Sequence, residues 1–193
     1  MAKTEAEGAI DAALDAGDGG EAVRLAVAHY GPELMSFLAA VHGSREDALE
    51  VFADASADLV RSIGQFERRS SLRTWFYALA RNASHRYFDD SYRRRRASLS
   101  EAPELAALVR TGTAEFMQTE WKDRLRQLRE ELDPADRAVL VLRVDRQLSW
   151  AEIAEVMGEA PTAASSARYR KRFERIKDKL RHSAIRSGWL DEG

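Results

Sequence analysis

Between Asp133 and Arg181 the chain issues three helix starts in close succession, which leaves almost no backbone free to build a sheet. Asp133 ahead of Pro134 joins an N-cap acceptor to a ring whose fixed φ suits the first helical position, where a missing N–H costs nothing. Ser149-Trp150-Ala151-Glu152 carries the Ser/Glu spacing of a capping box, and Gly158 is a natural stop. Pro161 or Thr162 opens a third helix running to about Arg181, with Tyr169, Phe173, Ile176 and Leu180 on its apolar stripe. The best strand candidate, Val139 to Val144, sits directly behind the Asp133 cap and is read as helix. Three such helices make a helix-turn-helix pattern in which the last would enter a DNA major groove.

The N-terminal half follows the same three-and-four spacing. Val23, Val27, Tyr30, Leu34, Phe37, Leu38 and Val41 predict a helix from Glu21 to about His42, with Gly31-Pro32 as a kink or break. Ser44 caps a second helix, with Glu46 and Asp47 in its first turn and Leu49, Phe52, Ser56, Leu59, Val60 and Ile63 facing inward. Gln65 to Ser70 reads as a loop. Ser70 or Ser71 then caps a helix reaching toward Arg96, whose inward stripe is Leu72, Trp75, Phe76, Leu79, Ala80 and Ala83. Beside it Arg73, Tyr77, Arg81, Ser84 and Phe88 form a stripe of cations and flat rings, suited to phosphates and unstacked bases.

The expected architecture is therefore all-α, with two small helical domains joined by a flexible linker. Residues 1–20 are a disordered or weakly helical leader and 21–96 a three-helix bundle. Residues 97–118, with Pro103 and Gly112, are the linker; 119–182 hold the helix-turn-helix domain, opened by Trp121, Leu125, Leu128 and Leu132; 183–193 are a tail.

A net charge of -2 conceals a strong segregation of sign. Residues 1–60 carry 3 basic and 12 acidic groups, 61–96 carry 10 and 3, 97–167 carry 8 and 13, and 168–193 carry 9 and 4. Two basic blocks on separate bodies, one ending in Arg93 to Arg96, suit two contacts along one polyanion. There is no cysteine, which removes disulfides, thiolate-bound zinc and thiol catalysis and fits a reducing cytoplasm. His29, His42, His85 and His182 lack ligand spacing, and no phosphate loop is present, so neither a metal, a cofactor nor a catalytic residue is expected.

Two longer motifs carry a family likeness. SSLRTWFYALARNASHRYFDDSYRRRR is similar to the W-x-x-x-I-A-R-N helix with basic tail of bacterial sigma-70 factors of the extracytoplasmic-function type. LDPADRAVLVLRVDRQLSWAEIAEVMG is similar to the L-P-x-x-x-R…L…L-S-x-x-E-I-A-x-x-x-G of the same family. The resemblance implies a non-enzymatic, cytoplasmic subunit that binds core RNA polymerase, reads a -35 element with the second domain and melts a -10 element with the first. On it, Asp47, Glu50, Val51, Asp54 and Ser56 would meet the polymerase clamp. Arg68, Arg69, Arg73, Tyr77, Arg81 and Asn82 would handle the unpaired -10 strand, with Trp75 structural. Ser165, Ser166, Arg168, Tyr169, Arg170 and Arg172 would lie at the -35 duplex, and the linker with Glu101 and Glu104 would thread toward the polymerase cleft.

Two departures stand out. In the clamp motif, Ala53 replaces the family's glutamine and Ser56 its aromatic residue. Phosphorylation of Ser56 by a Ser/Thr kinase is accordingly a candidate switch for docking, beside an anti-sigma partner. In the last helix two registers fit: either Ser166 and Arg170 align with the family's serine and arginine, or Arg172-Phe173-Glu174-Arg175 aligns after a longer turn. The alternative function is a stand-alone helix-turn-helix repressor or activator that uses its first body to dimerise. A basic, aromatic-rich helix has little purpose in a dimerisation body, whereas strand melting needs one.

Overall fold

The computed structural model describes residues 5–89 and 127–189. The chain divides into two compact units, the first holding α1, most of α2, α3 and α4, the second holding the helices from Pro134 onward. Among the described residues there is no strand. The basic run Arg93 to Arg96, the linker with Glu101 and Glu104, and Trp121 and Leu125 lie outside them.

In the first unit α1 spans Glu5–Asp15, α2 Gly19–His42, α3 Arg45–Ser62 and α4 Leu72–Asp89, with a 3-10 turn at Ile63–Gln65. The leader is thus helical, because Ile10 and Ala13 bury themselves in the unit's core. Gly17, at φ +72°, makes the left-handed turn out of α1, and the Asp18 carboxylate accepts the Glu21 N–H at 2.9 Å to start α2.

The break expected at Gly31-Pro32 does not occur, and α2 runs through Pro32 without interruption. A proline there removes a ladder hydrogen bond at a cost of ~3 kcal/mol. Tyr30, Leu34, Phe37 and Leu38 are all buried around it, and each contributes roughly 1.5–3 kcal/mol. Packing outweighs the local defect. The Tyr30 phenol pays for its place in that core with a pKa pushed up to about 12, chiefly by burial and secondarily by the nearby Glu7 carboxylate.

The buried stripe of α3 is Ala48, Val51, Phe52, Ala55, Ser56 and Leu59, rotated from the one expected, so that Val60 is 52% exposed. It packs on α4, whose buried residues are Leu72, Thr74, Phe76, Tyr77, Ala80, Ala83 and Ser84. Phe52 meets Phe76 at 6.2 Å between ring centroids, and Phe37 meets Tyr77 edge-on at 5.3 Å. Ser71 caps α4, its hydroxyl oxygen accepting the Thr74 N–H at 3.0 Å. Asp58 ties the two helices, accepting from Arg61 and from Arg86, each at 2.5 Å.

In the second unit α5 spans Pro134–Val144, α6 Trp150–Val156 and α7 Ala163–Arg186. All three starts read from sequence are made. Asp133 accepts the Asp136 N–H at 2.9 Å, and Ser149 and Glu152 exchange bonds of 3.2 and 2.8 Å. Thr162 and Ser165 form a further capping box with bonds of 3.1 and 2.9 Å. Val139, Leu142, Leu148, Ile153 and Ile176 fill the core. Residues 127–130 are also helical, and the buried Arg137 guanidinium donates to the carbonyls of Arg129, Glu130 and Leu132 at 2.9 to 3.1 Å, which closes that helix end.

Candidate nucleic-acid interface

The loop from Phe66 to Ser71 and the first turns of α4 are held by contacts within the first unit. Phe66 and Trp75 stack nearly parallel, 4.8 Å apart with an interplanar angle of 22°, and both are half-buried. Trp75 is therefore not a core residue but half of a two-ring surface. Arg68 adopts φ +56° and reaches Asp15 of α1 at 2.5 Å, while Arg69 turns back to Glu67 at 2.5 Å.

Two of the residues assigned to the -10 strand sit elsewhere. Tyr77 is wholly buried against Phe37, because its position on α4 falls on the true inward stripe. Arg73 forms a two-pronged ion pair with Glu33 of α2, at 2.7 and 3.0 Å, and lies 5.6 Å from the Tyr77 ring centre. Ser84, expected on the outer stripe, is buried as well. Arg81 and Asn82 stay toward solvent, joined by a 3.2 Å bond, and the Phe88 ring is exposed.

On α3 the acidic residues Asp47, Glu50 and Asp54 are half-exposed. Val51 and Ser56 are each 0% exposed, so neither faces a partner. The Ser56 hydroxyl is buried in the folded unit and has no hydrogen-bond partner among the described residues.

The second unit separates α7 into two faces. Ser165, Tyr169, Ile176, Ser183 and Ala184 point inward. Ser165 is consumed by the capping box and by a 2.7 Å bond to the Ala160 carbonyl, and Tyr169 donates its hydroxyl to Glu159 at 2.9 Å. Both leave the set assigned to the -35 duplex. Arg168 is ion-paired with Glu159, and Arg172 donates to Asp136 at 2.7 Å. The outward stripe is Ala163, Ser166, Ala167, Arg170, Lys171 and Glu174, at helical spacing from the capped start. From that start Ser166 and Arg170 fall on the outward stripe.

The sequence pattern does not by itself mark Asp136. Its carboxylate accepts from Arg172 and, at 2.6 Å, from Lys179, while Asp133 lies 3.8 and 3.9 Å from the same two cations. Burial raises its pKa, but the hydrogen bonds from Lys179 and Arg172 outweigh that and hold it below the usual carboxylate value. The available signal was an acid on the first turn of α5 facing a cation-rich helix. Trp150 sits between the Arg143 guanidinium, 4.5 Å from its ring centre, and Phe173 at 5.5 Å, which braces α6 on α7. Among the described residues no cluster of His, Cys, Asp and Glu could hold a metal, and no helix is long and apolar enough to cross a membrane.

Residues 26–96 match the family model of Sigma-70 region 2, and residues 122–172 that of Sigma-70, region 4. The two matches follow in order and together span more than half of the chain, so the protein belongs to the sigma-70 family, as a factor of the extracytoplasmic-function type. It is similar to the RNA polymerase sigma factor YlaC of Bacillus subtilis (strain 168), 27% identical over 150 residues that cover 75% of this chain and 84% of that protein. Its role is in promoter-specific transcription initiation, as a regulatory subunit of RNA polymerase whose partners are the core enzyme and promoter DNA.

Proposed function

We propose that the second unit reads the -35 duplex with the outward stripe of α7, Ser166 and Arg170 meeting base edges and Lys171 meeting phosphate. The first unit captures the unpaired -10 strand on the Phe66–Trp75 rings, with Arg68, Arg69, Arg81 and Asn82 on the backbone, and so favours melting. Asp47, Glu50 and Asp54 on α3 meet the polymerase clamp, in the cytoplasm where the polymerase works.

The observation that carries this reading is the segregation of α7: Arg170 and Lys171 project outward from a doubly hydrogen-bonded cap, while its apolar residues and Tyr169 are spent on the core. Reconstitution with core polymerase on promoter DNA tests it, scored by specific RNA and by permanganate reactivity of unpaired thymines. Specific RNA that falls at least tenfold with Arg170→Ala supports the reading, and failure to bind core polymerase refutes it.

A further inference from the structure

We propose that Asp136 sorts the cations of α7, holding Arg172 and Lys179 against the protein so that they do not reach DNA. The inference rests on the reading that α7 contacts the -35 duplex, and it assigns Asp136 as a positioning residue for that contact.

Arg172 and Lys179 lie two helical turns apart, so both project from the same side of α7. One carboxylate serves both, with one oxygen 2.7 Å from the Arg172 Nε and the other 2.6 Å from the Lys179 Nζ. The Asp136 side chain is 7% exposed. A phosphate competing for either cation would strip a partner from a buried carboxylate, and an uncompensated buried charge is strongly unfavourable. The pairs therefore persist when DNA arrives. Asp133 adds a second negative charge on the same side.

Arg168 pairs with Glu159 and Lys177 with Glu174 in exposed contacts that a phosphate can replace, unlike the pairs on the buried Asp136 carboxylate. Arg170 and Lys171 have no ion pair among the described residues; Arg170 sits opposite Arg172 and Lys171 about a quarter-turn from it. Asp136 thus fixes both the facing of the helix and the charge that DNA feels.

Counterion release reports this directly, because each neutralised phosphate contributes about 0.9 to the slope of log K against log salt. The experiment uses the full chain with core polymerase on promoter duplex, measuring affinity across a salt series together with the melting temperature of the free protein. Lys171→Gln, at the proposed phosphate contact, is expected to lower the slope by about 0.9 and leave the melting temperature alone. Arg172→Gln and Lys179→Gln are expected to leave the slope unchanged and lower the melting temperature, and Asp136→Asn to steepen the slope by releasing both cations. Lys179, more than half exposed, supplies the variant that folds should Arg172→Gln fail to. A slope loss in Lys179→Gln or Arg172→Gln equal to that of Lys171→Gln overturns the role given to Asp136. An unchanged slope in Lys171→Gln instead overturns the contact of α7 with the duplex.

Discussion

The Phe66 and Trp75 rings lie stacked at 4.8 Å on the surface of the first unit, one from the loop and one from the first turn of α4. A base stacked on an aromatic face contributes about 1–3 kcal/mol. Phe66→Ala should therefore reduce open-complex formation about tenfold while leaving affinity for core polymerase unaltered. Permanganate footprinting beside a core-binding titration checks both halves of that expectation.

Ser56 offers a sharper test of burial. Ser56→Ala removes a buried hydroxyl that has no partner among the described residues, and should leave stability unchanged or slightly higher. Ser56→Glu places an unpaired charge where the side chain is 0% exposed and should cost about 3–5 kcal/mol. Thermal unfolding followed by circular dichroism separates the two, and equal melting temperatures would contradict the packing described.

Glu33 and Arg73 are each about a quarter exposed, so their ion pair is neither fully screened nor fully desolvated. Glu33→Gln should cost about 1–2 kcal/mol, at or just below the low end for a hydrogen bond to a charged group because the pair is partly solvated. Urea denaturation should show the midpoint shifting with no change in slope.

The folded pKa of Asp136 is depressed, so its contribution to stability is present above the unfolded value, about 3.9, and is lost as pH falls through the folded value. The second unit should lose stability progressively below about pH 4 as this carboxylate takes up its proton. In Asp136→Asn that part of the acid dependence disappears, leaving a shallower profile. Denaturant titrations at stepped pH measure the difference.

Helix starts were legible because capping is local: Asp133, Ser149 and Thr162 bond to residues three positions on. Rotation about the helix axis was not, because it depends on what the rest of the unit presents. On α4 the inward stripe shifts by about one residue, which buries Tyr77 and brings Trp75 toward the surface, since Phe37 of α2 offers a ring for Tyr77 and the loop offers Phe66 for Trp75. Pro32 misled for a related reason, as a local penalty was outweighed by burial along the whole of α2. The partners that neutralise arginines were equally hidden: Glu33 is 40 positions from Arg73, and Asp136 is 36 from Arg172. Sequence displays the cations of a basic helix, whereas only the folded chain displays which of them are already satisfied.

The division of α7 into an anchored and an outward face bears on how such a protein diversifies. Ser166, Ala167, Arg170 and Lys171 lie outside the buried stripe of α7, so on the proposed reading promoter preference can drift there while the helix keeps its seat. Substitutions at Ser165, Tyr169, Arg172 or Ile176 unseat it. Neighbouring positions on one helix thus answer to separate selective pressures, and on the proposed reading a new set of target genes lies within reach of a few outward replacements.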